Sequence, residues 1–307
     1  MRLLFAGTPD VALPTLDALV RSTHEVVGVL TRPPARAGRG RSERPSPVHA
    51  LALDLGLPVI TAARLDDPGV IGAVRELGPD CCPVVAYGAL ITPSALDLPR
   101  LGWINLHFSL LPRWRGAAPV QHAIWAGDEQ TGATTFRIDV GLDTGPILLE
   151  ESTPIGDRET SGELLGRLAV SGAGLMLRTM DRLESATIDA VPQADDGVTL
   201  APRISVDDAR IEWSRPASDI DRLVRAMTPA PGAWTTLHDE RIKIGPVDLL
   251  EVSDLSAGEI RAGRSSVTVG THAGDVRLGE VQPHGKRAMA AADWARGLRL
   301  AGGERFA

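Results

Sequence analysis

Asn105 and His107 stand two residues apart at the end of the apolar run GWINLH (102–107). On a strand, side chains at i and i+2 share a face, so this amide and imidazole point the same way. Pro112 then stops the run, and Arg113-Trp114-Arg115 follows. Farther on, DVGLDTG (139–145) holds two carboxylates, Asp139 and Asp143, in a glycine-containing loop after a second apolar run, GATTFRID (132–139). A carboxylate in such a loop can orient and charge an imidazole, and an amide beside it can donate to a developing oxyanion. Chemistry alone admits either acid, and a turn-forming Asp is the plain alternative for each. Ser109 lacks the G-x-S-x-G setting of an activated nucleophile, and the adjacent Cys81 and Cys82 lie in an apolar run. The expected chemistry is direct group transfer with acid–base and oxyanion assistance and no covalent enzyme intermediate.

The flanking chain alternates strand and helix signals. RLLFAG (2–7), EVVGVLT (25–31), LPVI (57–60) and CPVVAYG (82–88) read as strands, with GWINLH and GATTFRID completing the set. Between them, PTLDALVRS (14–22), PVHALALDLG (47–56) and DPGVIGAVRELG (67–78) read as helices, the second ended by Gly56. This pattern predicts an α/β fold with a Rossmann-like, open, mostly parallel sheet covered by helices on both faces. A ligand crevice then opens at the carboxyl ends of the strands, where Asn105 and His107 stand. A long helix over 161–185 closes the region, and residues 187–206, rich in Asp, Pro and Gly, read as a linker. Beyond a helix at 218–227, the short runs AWTTLHD, RIKIG, GEIRAG, SSVTVGT and DVRLGEV predict a small antiparallel β-barrel of the OB type. The expected domains are therefore 1–186, a linker at 187–206, and 207–307.

Bulk properties narrow the class. With 307 residues, 43% hydrophobic and 23% charged, the chain suits a two-domain soluble protein. It holds no apolar run long enough for a membrane span. The opening MRLLFAGTPD reads as a first strand rather than a signal peptide. Two neighbouring cysteines point to opposite faces of a strand, so neither a disulfide nor a metal site is expected, and a reducing cytoplasm fits. The net charge of −7 argues against nucleic-acid binding over the whole surface. The excess of acid is confined to the first 207 residues, because 208–307 carry 14 basic and 14 acidic residues.

Asn105-Leu-His107, Ser109-Leu110-Leu111-Pro112 and Asp143, with FAGTPD (5–10), AGRG (37–40), PSPV (45–48), VVAYG (84–88), GLDTG (141–145), ARIEWSRPA (209–217) and QPHGKRAM (282–289), run nearly end to end. Together they resemble the folate-dependent formyltransferases, most specifically the members that act on tRNA. The resemblance implies transfer of a formyl group from 10-formyltetrahydrofolate to the α-amino group of methionine esterified to initiator tRNA. It also implies roles: Asn105 donates to the oxyanion, His107 stabilises it and shuttles a proton, and Asp143 holds His107 charged and oriented. The folate is expected against the 84–91 strand end, the Ser109–Pro112 loop and the Asp139–Asp143 loop. The residues concerned are Tyr87, Gly88, Leu90, Ser109, Leu110, Leu111, Pro112 and Asp139. Phe108 departs from the small residue common at its position. As a strand neighbour of His107 it is expected to point away from the site into the core.

For tRNA, the Pro/Gly-rich loop 32–47 carries Arg36, Arg39 and Arg41, and the resemblance makes Arg39 the central residue. Arg113, Trp114 and Arg115 suit stacking on unpaired bases. In the C-terminal domain, Lys243, Lys286 and Arg287 and the helix around Arg296 and Arg299 could follow the backbone phosphates. A monomer without metal is expected. A dinucleotide oxidoreductase is disfavoured, because the first turn reads AGTPD rather than G-x-G-x-x-G and Arg32 follows the second strand. The alternative within the family is a formyltransferase for a small amine, a glycinamide ribonucleotide or an amino-sugar nucleotide. A catalytically silent RNA-binding protein would be expected to lack one of Asn105, His107 or Asp143.

Overall fold

The computed structural model describes residues 1–37, 42–300 and 302–307. The chain divides into two compact units. One comprises residues 1–119, 130–154 and 165–201, the other 120–129, 155–164 and 202–307.

In the first unit the strands are β1 (Arg2–Gly7), β2 (Glu25–Thr31), β3 (Val59–Thr61), β4 (Cys82–Val85), β5 (Trp103–His107), β6 (Gln130–Arg137) and β7 (Ile147–Pro154). They form one sheet in the order β3-β2-β1-β4-β5-β6-β7. Pairings from β3 through β5 are parallel, and β6 and β7 add two antiparallel strands at one side. The chain thus works outward from β1 to β3 and returns to β4, so the strand order reverses beside β1, the topological point where such sheets open a crevice. Full burial of Phe5, Trp103 and Phe136 in this unit contributes roughly 1.5–3 kcal/mol each.

Local signals set the helices. In α1 (Leu13–Val20) a proline occupies the first turn, where its missing N–H costs nothing. The Ser46 hydroxyl accepts from the His49 N–H at the start of α2 (Pro47–Asp54). Asp67 accepts from Gly69 and Val70 at the start of α3 (Pro68–Leu77), and Gly78, at φ 56°, ends it in the left-handed region. A single turn, α4 (Pro93–Leu96), precedes β5. The α5 helix (Pro119–Ala126) and the 24-residue α6 (Ser161–Glu184) follow. Of α6, residues 165–184 belong to the first unit. There Gly172 permits close packing on β5, since a Cβ would lie 2.9 Å from Leu106 Cδ2. Leu106 alternates with His107, so the helix covers one sheet face and the polar pair uses the other.

The structure adds β7 and α5, which the sequence patterns did not separate from loop. It also shortens the run read as 82–88: Ala86 (φ 46°) and Gly88 (φ 78°) turn the chain away after Val85. Residues 187–201, read as linker, are tied down. Val191 and Ile147 exchange both backbone hydrogen bonds, and Leu200–Ala201 pair in parallel with Arg115–Gly116.

The second unit holds eight short strands: β8 (Trp234–Leu237), β9 (Glu240–Ile244), β10 (Val247–Leu250), β11 (Ile260–Ala262), β12 (Val267–Gly270), β13 (Asp275–Leu278), β14 (Glu280–Pro283) and β15 (Met289–Ala290). They make two antiparallel sheets, β8-β9-β14-β15 and β10-β13-β12-β11. The chain passes between the sheets at Gly245-Pro246 and at Gly279, corner residues of a small β-barrel. DVRLGEV is therefore two strands, not one. Helix α7 (Ala217–Met227) buries Ile220, Leu223, Val224 and Met227. Rings of Trp213 and Trp294 stack on Phe306 at centroid distances of 5.3 and 5.9 Å, and α8 (Ala291–Leu298) carries Trp294.

Candidate active site

A cavity of about 510 Å³ opens in the first unit. It is bordered by Val84 in β4 and residues 86–91 after it, by residues 105–108 at the end of β5, by Gly116 and Ala117, and by the loop 138–143 after β6. Its mouth is apolar: Leu90 is 77% exposed, and Val140 and Leu142 are exposed beside it. Asn105, His107 and Asp143 all border this space. Among the described residues, the Asn105 carboxamide makes no hydrogen bond, so its donors are available to whatever enters.

His107 is 5% exposed. Its Nε2 lies 2.8 Å from the Trp114 carbonyl oxygen, and its Nδ1 3.7 Å from Asp143 Oδ2. A carbonyl oxygen only accepts, so Nε2 carries a proton and the neutral ring has its lone pair on Nδ1. The Phe136 ring stands edge-on at 6.3 Å. Burial pulls the imidazole pKa below its ordinary value, against the Asp143 charge and the Trp114 carbonyl, which both raise it. At 3.7 Å Asp143 Oδ2 lies beyond hydrogen-bond distance of Nδ1, so the carboxylate acts on the ring through its charge, which favours the protonated form against the burial that lowers the pKa.

The loops behind these groups are strained and tightly held. Asp143 (φ 51°) and Trp114 (φ 62°) both occupy the left-handed region, at a cost of order 1–3 kcal/mol each. The Gly116 N–H donates to Asp143 Oδ2 at 2.7 Å. Gly116 itself has φ 125°, and a Cβ there would come within 2.6 Å of the Ala201 carbonyl oxygen. On the far side of Asp143, the Gln193 side-chain N–H₂ donates to the carbonyls of Asp143 and Gly145, each at 2.8 Å. Its Oε1 accepts from Arg115 Nε and Nη2, at 3.0 and 2.6 Å. Trp114 N–H donates to Thr199 Oγ1 at 2.8 Å. Gln193 and Thr199 gave no sequence signal, since they lie in the aperiodic segment read as linker.

The residues expected to hold folate separate into two groups. Tyr87, Gly88, Leu90 and Asp139 border the cavity. Tyr87 does so from the core, with its hydroxyl donated to the Ala62 carbonyl and its pKa pushed up to about 12 by burial. Asp139 uses Oδ1 within its own loop, accepting from Gly141 N–H and Thr144 Oγ1. Ser109, Leu110, Leu111 and Pro112 are not among the bordering residues. They form a turn beneath the site: Ser109 Oγ donates to the Arg113 carbonyl, and Thr134 Oγ1 donates to the Ser109 carbonyl and accepts from Leu111 N–H. Phe108 meets its expectation in half. It is buried as core, yet it also borders the cavity, because the strand ends there and the lining includes consecutive residues.

Of the basic residues, Arg39 and Arg41 lie outside the described residues, and Arg36 is described only through its backbone pairing with Glu43 in a short antiparallel ladder. The Arg113 guanidinium lies 4.6 Å from the Trp114 ring centroid, while Arg115 is committed to Gln193. In the second unit Lys286 and Arg287 are exposed at a turn. Lys243 Nζ donates to the Pro231 carbonyl, and Arg296 pairs with Asp293. Burial raises the pKa of Cys81 to about 12 and that of Cys82 as well, so neither is a ready thiolate. Among the described residues, no helix is long and apolar enough to cross a membrane.

Residues 1–180 match the family model described as formyl transferase, and residues 203–299 match the one described as formyl transferase, C-terminal domain. The methionyl-tRNA formyltransferase of Thermobifida fusca is 58% identical over 307 residues, covering 100% of this chain and 99% of the relative. That of Streptomyces coelicolor is 55% identical over 307 residues, covering 99% of each. Among solved structures, the N-formyltransferase of Helicobacter canadensis, in complex with folinic acid and dTDP-3-aminofucose, aligns with a TM-score of 0.69. It is 18% identical and is matched over 92% of this chain and 99% of that one. The methionyl-tRNA formyltransferase of Clostridium thermocellum aligns with a TM-score of 0.57 and 14% identity, over 91% and 98% of the two chains. At those identities the structural likenesses speak for the fold alone.

Proposed function

The chain belongs to the formyl transferase family, and from that footing we propose how its residues carry out the reaction. The activity is transfer of a formyl group from 10-formyltetrahydrofolate to the amino group of methionyl-tRNA. Its partners are therefore a tRNA and a folate. The finer parts of the reading are the initiator tRNA as substrate, a monomeric enzyme and a cytoplasmic setting.

The folate, when bound, supplies the one-carbon group at the formyl oxidation level. The cavity in the first unit fits it: its volume lies in the ordinary range for small-molecule sites, and Leu90, Val140 and Leu142 offer an apolar lip to a ring system. Tyr87, Gly88, Leu90 and Asp139 are the residues that would hold it. The Ser109–Pro112 turn acts instead by supporting the end of β5. Asn105 donates its free amide to the formyl oxygen, where negative charge builds as the amine adds. His107, kept neutral by burial, takes the amine's proton on Nδ1 and returns a proton to the departing folate nitrogen as its bond to the formyl carbon breaks. The Asp143 carboxylate, 3.7 Å from that atom, favours the protonated ring once it forms.

In this reading the first unit is the catalytic domain and 207–307 the tRNA-binding domain. Arg36, Arg39 and Arg41 contact the acceptor stem, and Arg113 and Trp114 meet its unpaired end. Lys286 and Arg287 follow the phosphates. Arg115 takes an internal role.

The observation that carries the reading is the meeting of an unpartnered amide, a buried imidazole and a carboxylate at one apolar cavity. The test is formylmethionine production from 10-formyltetrahydrofolate and charged initiator tRNA. His107→Ala should abolish it, and Arg39→Ala should weaken tRNA use far more than folate binding. A folded, folate-binding protein that leaves the aminoacyl-tRNA untouched would sink the acceptor assignment, and small amines would be tried next.

A further inference from the structure

We propose that Gln193 is a positioning residue for catalysis, holding Asp143 in the strained conformation that aims its carboxylate at His107. This rests on the reading of Asn105, His107 and Asp143 as the reacting groups.

Asp143 is held at two points. Its carboxylate accepts from the Gly116 N–H at 2.7 Å, and its backbone carbonyl accepts from the Gln193 amide at 2.8 Å. The second hydrogen of the same amide goes to the Gly145 carbonyl, also at 2.8 Å. Both donors of one side chain thus bridge the loop on either side of Thr144. The loop needs such a bridge, because Asp143 sits at φ 51° without being glycine. Gly145 is equally constrained, since a Cβ there would overlap the Arg137 carbonyl oxygen.

The remaining site of Gln193 is its oxygen, which accepts two hydrogen bonds from Arg115. Arg115 follows Trp114, whose carbonyl takes the His107 Nε2 proton, and precedes Gly116, whose N–H takes the Asp143 carboxylate. One side chain therefore joins the segment that fixes the imidazole to the segment that fixes the carboxylate. Gln193 is anchored in turn by the double backbone bridge between Val191 and Ile147. The amide uses its two hydrogens and its oxygen in four contacts, a geometry that a different side chain of equal length does not reproduce.

The consequence is kinetic. A carboxylate that drifts by about an ångström changes rate far more than binding, by up to about a hundredfold. Gln193→Met keeps the shape and removes every hydrogen bond. Gln193→Glu keeps the oxygen for Arg115 and loses both donors to the loop. Both variants should lower kcat of formylation roughly tenfold to a hundredfold, with KM for folate and for tRNA little changed. In an Asp143→Asn background, Gln193→Met should add little further loss, because the two act through one group.

Several results would overturn the proposal. Full activity in Gln193→Glu would mean the side chain serves Arg115 alone. Multiplying losses in the double variant would mean it acts apart from Asp143. A fall in melting temperature with kcat unchanged would make it a structural brace. Failure of the underlying reading looks different: Asp143→Asn itself would then retain full kcat, and Gln193 would have nothing to position.

Discussion

The cavity of the first unit and the exposed basic turn of the second place polar groups in opposite ways. Around the cavity, His107 is buried, Asp143 and Trp114 hold strained left-handed backbones, and the neighbouring Arg115, Gln193 and Gly116 spend their hydrogen bonds on holding loops. In the second unit Lys286 and Arg287 are exposed, and among the described residues neither side chain has an ion-pair partner. The contrast fits the two tasks proposed for these groups. Moving a proton and stabilising a developing charge require donors fixed within a fraction of an ångström in a poorly solvated place. Gripping a phosphate chain requires charge, reach and the freedom to adapt, which solvent-exposed side chains already have.

The comparison breaks most easily at Asn105. A single oriented donor is worth about 10²–10³ in rate, so Asn105→Ala should lose that much kcat while thermal stability barely moves, the amide having no protein partner. Single-turnover formylation checks it. A loss under tenfold would mean that the cavity is less preorganised than its geometry implies.

Two glycines sharpen the comparison by a smaller amount. Gly116 (φ 125°) and Gly285 (φ 72°) both have a positive φ, but a Cβ at Gly116 meets the Ala201 carbonyl at 2.6 Å, whereas one at Gly285 meets nothing within 4 Å. Gly285→Ala should cost about 1–2 kcal/mol from backbone strain. Gly116→Ala adds the clash and pulls the amide from Asp143, so it should cost more and also depress kcat. Denaturant titration and kinetics on both variants decide it. Equal stability losses would show that the Arg115–Gly116 segment can give way, against the tightness inferred for the first unit.

The readability of the sequence divides along the same line. The α/β alternation, the helix over 67–78 and the Asn105/His107 pair were legible, because each rests on spacing within one element. Asp139 and Asp143 were visible as candidates, but chemistry alone could not choose between them. In the structure Asp139 folds back on Gly141 and Thr144, while Asp143 turns toward the imidazole. Gln193 and the pairing of Leu200–Ala201 with Arg115–Gly116 left no trace, because a partner some eighty residues away imposes no periodicity on either segment. β7 escaped for a related reason: it pairs on one side with β6, and its exposed Glu150 and Glu151 break the apolar pattern. The Ser109–Pro112 turn was found for its residues, but sequence could not show that its hydroxyl is spent on backbone, since buried hydroxyls bonded to backbone look the same in sequence as ligand contacts.

Acidity probes the enclosed side of the comparison more gently. Burial lowers the His107 pKa, so between that folded value and about 6.5 the unfolded chain binds more protons than the folded one. Stability then rises with pH across the window and is lost as pH falls through it. Subtracting the urea-unfolding profile of His107→Gln from that of the parent should leave a difference that declines from pH 7 toward pH 5. A flat difference, or one that grows on acidification, would mean the ring is solvated or charged in the folded state.

The smallest effect belongs to the exposed turn. Lys286→Ala with Arg287→Ala removes two charges without disturbing a buried contact, so folding and folate affinity should stay as they are. If both side chains meet phosphates, the slope of log affinity for tRNA against log salt should fall by about 2, roughly one per contact. At moderate salt the loss of affinity is then modest, and at high salt parent and variant converge, because the released counterions no longer favour either. Formylation at saturating tRNA should be unchanged. A salt slope equal to that of the parent would remove these two residues from the tRNA interface. A changed kcat would mean that this turn influences the chemistry itself, and the contrast between an over-determined site and an adaptable surface would no longer describe the molecule.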